Sequence, residues 1–264
     1  MRRLLLLLLL PFVIPVFAQD SLYQKKEFTY SPGQVLPYRI LFPEGYDRTR
    51  AYPLLLFLHG AGERGTDNER QLIHGGKLFS SAGNRSRYPA IVVLPQCPRD
   101  EWWAALKPDT TRRPLGLAFD YTTPARWPLQ AVAALLQQLV REEGVDARRI
   151  YVSGLSMGGM GTFELVSRYP TVFAAALPIC GGGDTLYRNR QLRRVPFWIF
   201  HGDADRVVDV RYSRAMEHHL RSLGAPVRYT EYPGVGHNSW DPAFAEPDYL
   251  DWMFGQRRSR KARF

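Results

Sequence analysis

Short apolar runs alternate with helical stretches along most of this chain. Five of these runs carry little polar alternation, at 52–58, 90–95, 149–153, 173–179 and 195–200. Strands with this pattern are usually parallel and covered on both faces. Because helical patterns separate them, the sequence predicts a doubly wound, mostly parallel α/β sheet with helices on both faces.

Further strands extend the sheet at its two edges. Residues 27–30 and 36–42 flank the turn Ser31-Pro32-Gly33, which predicts an antiparallel pair at the starting edge. Residues 227–232 predict the last strand, which brings the sheet to about eight strands. Helices are predicted at 129–140, 210–223 and 249–254.

Residues 96–126 show no clear helical or strand period and contain several prolines. Loops of this length inside a compact domain are usually functional. We therefore expect a long functional loop directly after the strand at 90–95.

The length of 264 residues suits one large domain, and no change of composition marks a second. Two arginines, an apolar stretch and small residues before position 19 are typical of a signal peptide, predicted at 1–18 with cleavage after Ala18. An α/β domain is then predicted at 19–255 and a basic C-terminal tail at 256–264. Such a leader predicts a secreted or periplasmic protein with no stable membrane span after cleavage.

The formal net charge of +10 is high enough for a nucleic-acid-binding protein, so its distribution matters. Two of the charges lie in the predicted leader, and five basic residues crowd the tail, at 257, 258, 260, 261 and 263. Removing these seven charges leaves +3 for the domain, and a nucleic-acid partner is therefore not expected. The tail is expected to be a solvated, frayed end, with an electrostatic contact to an anionic surface or polysaccharide as the alternative.

The strongest chemical signal is Gly154-Leu155-Ser156-Met157-Gly158, a G-x-S-x-G pattern between an apolar run and a helical stretch. A strand that turns this sharply into a helix holds its central residue at strained dihedrals and needs small neighbours. Such a turn exposes the Ser156 hydroxyl as a nucleophile and places the Met157 amide at a helix N-terminus, where negative charge is stabilised. The alternative is a glycine-rich turn whose serine only caps the helix.

A serine nucleophile needs a base within hydrogen-bond reach. Of the six histidines, His237 lies in a loop between the last predicted strand and the last helix, at the same sheet edge as Ser156. His59 and His201 each precede a glycine directly after a strand, where a structural hydrogen bond within the loop is expected. We therefore choose His237 as the base.

The base in turn needs an acid that orients it. Three aspartates follow the penultimate predicted strand, and Asp205 is chosen because the chain order Ser156, Asp205, His237 is that of one known triad arrangement. Asp203 then shapes the loop and Asp209 caps the following helix.

These motifs resemble the α/β-hydrolase superfamily, and within it the esterases of the dienelactone-hydrolase, feruloyl-esterase and phospholipase/carboxylesterase type, some of them labelled predicted peptidases. Four motifs carry the resemblance over nearly all of the mature chain: 58–62 as the oxyanion loop, 154–158 as the nucleophile elbow, 201–208 as the acid motif and 236–237 as the base motif. The resemblance implies a serine hydrolase acting on carboxylic ester bonds.

The same resemblance implies a strand order and a second oxyanion residue. Ala61 is implied to supply an oxyanion amide beside that of Met157. The family's order 1-2-4-3-5-6-7-8 places Cys97 and Cys180 after strands 4 and 6, which are not neighbours, so no disulfide between them is expected. No inserted helical lid of the size found in lipases is seen, and long-chain lipid substrates are therefore not expected.

The predicted function is a secreted carboxylesterase that removes acetyl or feruloyl groups from carbohydrate. Trp102, Trp103 and Trp240 are expected to line a cleft for a sugar or an aromatic acyl group, with core packing as the competing role. The alternatives are a serine peptidase of the prolyl-oligopeptidase-like type and a non-catalytic carbohydrate-binding protein. Because no metal-ligand spacing or nucleotide-binding glycine motif is present, no cofactor is expected. The oligomeric state is left open.

Overall fold

The computed structural model describes residues 20–264, so the predicted signal peptide at 1–18 lies outside the described residues. The strands are β1 (Gln24–Ser31), β2 (Gln34–Leu41), β3 (Tyr52–Leu58), β4 (Ile91–Pro95), β5 (Leu106–Asp109), β6 (Gly116–Phe119), β7 (Val145–Leu155), β8 (Ala175–Ile179), β9 (Phe197–Gly202) and β10 (Val227–Tyr232). The helices are α1 (Gly76–Ser80), α2 (Ala82–Arg87), α3 (Trp127–Glu142), α4 (Met157–Arg168), α5 (Arg211–Ser222), α6 (Trp240–Ala245) and α7 (Tyr249–Gly255).

Eight strands form one central sheet in the order β1-β2-β4-β3-β7-β8-β9-β10. The first two strands are antiparallel to their neighbours, and the remaining pairs are parallel. This confirms the predicted α/β-hydrolase fold, with a mostly parallel sheet of eight strands. The strands β3 and β10 have the bounds that the apolar pattern predicts.

Two apolar layers cover the sheet. Helix α3 packs on one face through Leu129, Val132, Leu135, Leu136 and Leu139, which are all buried and recur at helical spacing. Helices α6 and α7 cover the other face, where they contribute Ala243, Tyr249 and Met253. Because both faces are covered, the carboxyl edge of the parallel strands is the place where loops gather and functional side chains meet.

The segment 96–126 is more ordered than its sequence predicts. It contains the two-stranded hairpin β5–β6, whose strands have four residues each, and its backbone is tied to the domain at several points described below. Strands this short, one of them containing Pro108, carry too few alternating positions to be recognised in a sequence.

The basic tail is bound to the domain, and the prediction of a frayed end is wrong. The amide of Arg258 donates to the carbonyl of Arg148, and the amide of Ala262 donates to the carbonyl of Ala147. Backbone hydrogen bonds thus hold the tail beside the first residues of β7.

Both cysteines, Cys97 and Cys180, are buried and free. They follow β4 and β8, which β3 and β7 separate in the sheet, as the predicted strand order requires. Within residues 20–264 the structure contains no helix with the length and apolar character of a membrane span.

Candidate active site

Ser156 lies at a sharp turn between β7 and α4. Its backbone has φ 53° and ψ −116°, a conformation that L-residues rarely adopt. The neighbouring glycines make the turn possible: a Cβ on Gly158 would lie 1.9 Å from the carbonyl oxygen of Leu58, and one on Gly154 would lie 2.5 Å from the carbonyl oxygen of Gly158. The G-x-S-x-G pattern therefore reflects a steric requirement of the turn.

His237 connects this serine to an acid. Its Nε2 lies 3.0 Å from Oγ of Ser156, and its Nδ1 lies 2.7 Å from Oδ2 of Asp205. A carboxylate only accepts hydrogen bonds, so Nδ1 carries the proton that it donates to Asp205, and Nε2 is left to accept the serine hydroxyl proton. The structure thus brings the three residues into one hydrogen-bonded chain.

Asp205 is buried and well satisfied. Its Oδ1 accepts hydrogen bonds from the amides of Val207 and Val208, and its Oδ2 accepts from His237 and from His201. Burial by itself raises the pKa of Asp205, but the hydrogen bonds from His201 and His237 outweigh it and hold the pKa well below the ordinary carboxyl value. The carboxylate therefore stays ionised beside His237.

The two other aspartates of this loop have structural contacts. Asp203 accepts a hydrogen bond from the amide of Gly234 at 2.6 Å. Asp209 accepts one from the amide of Arg211 at 2.9 Å, next to the start of α5. Neither side chain takes part in the hydrogen-bonded chain from Ser156.

Backbone amides are available for an oxyanion hole on both sides of Ser156. Met157 is the first residue of α4, so its amide has no partner within the helix. Ala61 follows β3 and lines the same cleft as Ser156 and Met157. Both residues predicted for the oxyanion hole therefore line the cleft at Ser156, and their role in holding an oxyanion stays a prediction.

His59 fixes the orientation of that loop. Its Nδ1 lies 2.6 Å from the carbonyl oxygen of Gly60, and its Nε2 accepts from the amide of Cys97 at 2.9 Å. The carbonyl of Gly60 and the amide of Ala61 belong to one planar peptide. The contact that fixes the carbonyl therefore also fixes the direction of the Ala61 N–H. Burial lowers the pKa of His59 to about 4, which keeps the ring neutral.

The cleft above Ser156 is small, at about 190 Å³. Trp102 and Trp240 line it, and the Trp240 ring lies edge-on to His237 with 5.5 Å between ring centroids. Their role in binding substrate stays a prediction. The prediction for Trp103 is wrong. This side chain is fully buried in the core, where its Nε1 donates to the carbonyl of His59.

Several cleft residues have no role in the sequence-based prediction. They are Glu63, His74, Leu115 and Met160. Met160 lies one helical turn after Ser156, which is a usable signal. The sequence gives no such signal for His74 and Leu115, because they lie in stretches without a helical or strand period and reach the cleft only through tertiary folding.

The segment 96–126, which supplies Trp102 and Leu115 to the cleft, is tied to α4. The amide of Ala105 donates to Oε2 of Glu164 at 2.5 Å, and Oε1 of Glu164 accepts from Arg168 at 2.7 Å. Glu164 is fully buried. On the other side, the amide of Leu115 donates to the carbonyl of Val207. These contacts anchor the segment 96–126 at Ala105 and at Leu115.

Within the described residues, Cys180, Asp205 and His237 form a group whose potential ligand atoms lie within 4.8 Å of one another. Asp205 and His237 already bond to each other, and the Cys180 thiol is protonated because burial raises its pKa. The hydrogen bond between Asp205 and His237 accounts for the closeness of these two side chains.

Comparison with known proteins gives the site a context. Residues 128–246 match the family model described as Phospholipase/Carboxylesterase. The crystal structure of a thermostable esterase is 35% identical, with a TM-score of 0.79, and the match covers 90% of this chain and 64% of that one.

Two curated relatives are much longer than this chain. An uncharacterized secreted protein of Arthroderma benhamiae is 26% identical over an alignment of 271 positions, gaps included, which covers 89% of this chain and 27% of that protein. The bifunctional acetylxylan esterase/xylanase of Neocallimastix patriciarum is 35% identical over 80 residues, which cover 30% of this chain and 12% of that protein. The chain therefore matches about a quarter or less of the length of these relatives.

Proposed function

We propose that this chain is an esterase of the α/β-hydrolase superfamily that hydrolyses carboxylic esters on acylated carbohydrate through an acyl-enzyme formed on Ser156. The observation that carries the chemistry is the hydrogen-bonded chain from Ser156 through His237 to Asp205. The proposed roles follow the direction of these hydrogen bonds.

In the proposed mechanism the Ser156 hydroxyl attacks the ester carbonyl while Nε2 of His237 accepts its proton. Asp205 stabilises the imidazolium that forms, and the amides of Ala61 and Met157 hold the oxyanion. His237 then returns the proton to the leaving alcohol. Water, activated by the same ring, hydrolyses the acyl-enzyme and restores the serine.

The size of the cleft supports a short acyl group. Pockets for drug-sized ligands usually measure about 300–1,000 Å³, whereas this cleft measures about 190 Å³. Trp102 and Trp240 offer flat apolar surfaces at its sides, on which a sugar ring can stack. Together with the partial match to an acetylxylan esterase/xylanase, these features support an acetylated polysaccharide as the substrate, ahead of a feruloylated one.

Export from the cytoplasm is part of the proposal. The pattern at 1–18 is that of a signal peptide, and one relative is described as secreted. A polymer too large to enter the cell suits an exported enzyme.

The test is acid release from acetylated xylan, feruloylated arabinoxylan, a nitrophenyl acetate and a peptide anilide. Wild type is compared with Ser156→Ala and with Ser86→Ala, which makes the same change at an exposed position of α2. We expect release from acetylated xylan by wild type and Ser86→Ala, with nearly all of it lost in Ser156→Ala. Comparable release by Ser156→Ala would overturn the assignment of the nucleophile. Turnover of the anilide alone would favour a peptidase.

A further inference from the structure

The bound tail creates a recess at the end of the sheet opposite to Ser156. The recess measures about 470 Å³ and is lined by Arg194, Arg257, Arg258, Ser259 and Arg260. It adjoins the start of β7, whereas Ser156 follows the end of that strand. Arg258 bonds to Arg148 within β7, and the stretch of chain from Arg148 to Ser156 spans roughly 26 Å at the usual rise per residue.

The positive charge of this recess is poorly compensated. Arg257 lies 3.4 Å from Asp146, but that carboxylate also pairs with Arg149 at 2.9 Å. Across residues 20–264 no acidic side chain lies within ion-pair distance of Arg194, Arg258 or Arg260. Three guanidinium groups therefore face the recess without a protein counter-charge.

Arg258 also has unused hydrogen-bonding capacity. Its Nη1 donates to the carbonyls of Pro170 and Phe173, while its buried Nε has no hydrogen-bond partner. Burial and the neighbouring charge of Arg194 lower the pKa of Arg258. An anion beside these two arginines would relieve their repulsion and supply an acceptor.

We propose that the recess binds carboxylate groups of an acidic polysaccharide, as a second attachment point remote from Ser156. Every basic residue that lines it is arginine, whose planar guanidinium matches a carboxylate with two parallel hydrogen bonds. The concave shape favours a sugar carboxylate over a flat membrane, which also requires apolar side chains that insert beside the charges. The proposal rests on the polysaccharide substrate proposed above.

A polymer can reach both places, whereas a small ester can reach only Ser156. Occupation of the recess therefore concentrates polymeric substrate near the domain and lowers KM for acidic polysaccharides. It leaves kcat and the turnover of small esters unchanged.

The test measures binding without turnover. Wild type and Ser156→Ala are titrated with an ester-free oligogalacturonate, with dextran of similar length and with phosphatidylglycerol vesicles at low ionic strength. We expect binding of the oligogalacturonate alone, equal in both proteins and weakened by added salt. Because the probe carries no ester, this result does not depend on whether Ser156 is a nucleophile.

Matched charge variants locate the site. Arg194→Gln/Arg260→Gln changes two exposed arginines of the recess and keeps Arg258 and its contacts in place. Arg99→Gln/Arg188→Gln removes the same charge at exposed positions elsewhere. We expect the first pair to weaken binding about tenfold or more and the second to change it less than about twofold. Equal losses in both pairs, no binding of oligogalacturonate, or binding of the vesicles alone would overturn the proposal.

Discussion

The Nε2 atom of His201 lies 3.2 Å from Oδ2 of Asp205, the same oxygen that accepts a hydrogen bond from His237. Nε2 also lies 3.0 Å from the carbonyl oxygen of Val208. Both neighbours only accept hydrogen bonds, so Nε2 of His201 must carry a proton. Oδ2 of Asp205 thus accepts hydrogen bonds from two histidines, and His201 is fully buried.

Replacing His201 by phenylalanine is expected to change the pH dependence of catalysis. Without this donor, more of the negative charge of Asp205 acts on His237 and stabilises the protonated ring. We expect the midpoint of the acid limb of kcat/KM to move upward by about half a pH unit or more. The profile is measured with a soluble ester between pH 4 and pH 9.

His201→Gln provides the control, because its amide can donate to the same carboxylate oxygen. Its acid limb is expected to lie between those of wild type and His201→Phe. A loss of thermal stability without any movement of the limb in His201→Phe would show that His201 only fills space.

His59 predicts a pH dependence of folding stability. Its pKa is about 4 in the native state against an ordinary value of 6.5, so between these values the unfolded chain binds a proton that the native protein does not. The neutral His59 ring therefore makes its full contribution to the free energy of unfolding above pH 6.5. This contribution, roughly 3 kcal/mol, is lost as the pH falls toward 4. Urea unfolding of wild type and His59→Gln from pH 4 to pH 7.5 measures it.

The difference in stability between wild type and His59→Gln is expected to shrink as the pH falls through this window. His218→Gln removes an exposed histidine and serves as the control. A parallel pH dependence in wild type and His59→Gln would contradict the assignment of the effect to this ring.

Alanine substitution of the two neighbouring tryptophans is expected to affect different properties: folding stability at Trp103 and catalysis at Trp102. Trp103 is fully buried, so Trp103→Ala should cost about 3–5 kcal/mol of unfolding free energy. Trp102 is partly exposed at the cleft, so Trp102→Ala should change stability by less than about 1 kcal/mol but reduce kcat/KM on polysaccharide up to about tenfold. Unchanged kcat/KM in Trp102→Ala would remove it from the substrate site.

Glu164 is expected to control the order of the cleft wall. Glu164→Ala leaves Arg168 without its carboxylate and the Ala105 amide without its acceptor, at a cost of about 3–5 kcal/mol. Glu164→Gln retains an acceptor for Ala105 and should cost less. Hydrogen exchange of residues 103–106 is expected to rise in Glu164→Ala but not in Glu142→Ala, which changes an exposed glutamate. Unchanged exchange in Glu164→Ala would contradict the anchoring role.

The sequence predicted the parts of the fold that depend on local patterns. The strand β3 is recognisable because every one of its residues is buried, and α3 because its apolar residues recur at helical spacing. Ser156 was identifiable because its turn tolerates only small neighbours, a constraint that is visible in five consecutive residues.

Features that arise from contacts between distant segments were not predictable in this way. Trp103 and Trp102 are adjacent and identical in type, yet one enters the core and the other the cleft, and no local pattern distinguishes them. The role of Glu164 depends on a partner 59 residues away. The composition of the tail is that of a solvated end, which predicts fraying. Its backbone instead forms hydrogen bonds to the first residues of β7.

The anchored wall of the cleft has a consequence for the physical form of the substrate. Glu164 and Val207 hold the segment 96–126 at two points, and the regular elements described within this segment are the short strands β5 and β6, so no helix of this segment covers Ser156. We therefore expect the proposed esterase to gain no rate at an oil–water boundary. Its rate is expected to follow the concentration of dissolved ester and to show no step when that ester begins to form micelles, in contrast to lipases that are activated at interfaces.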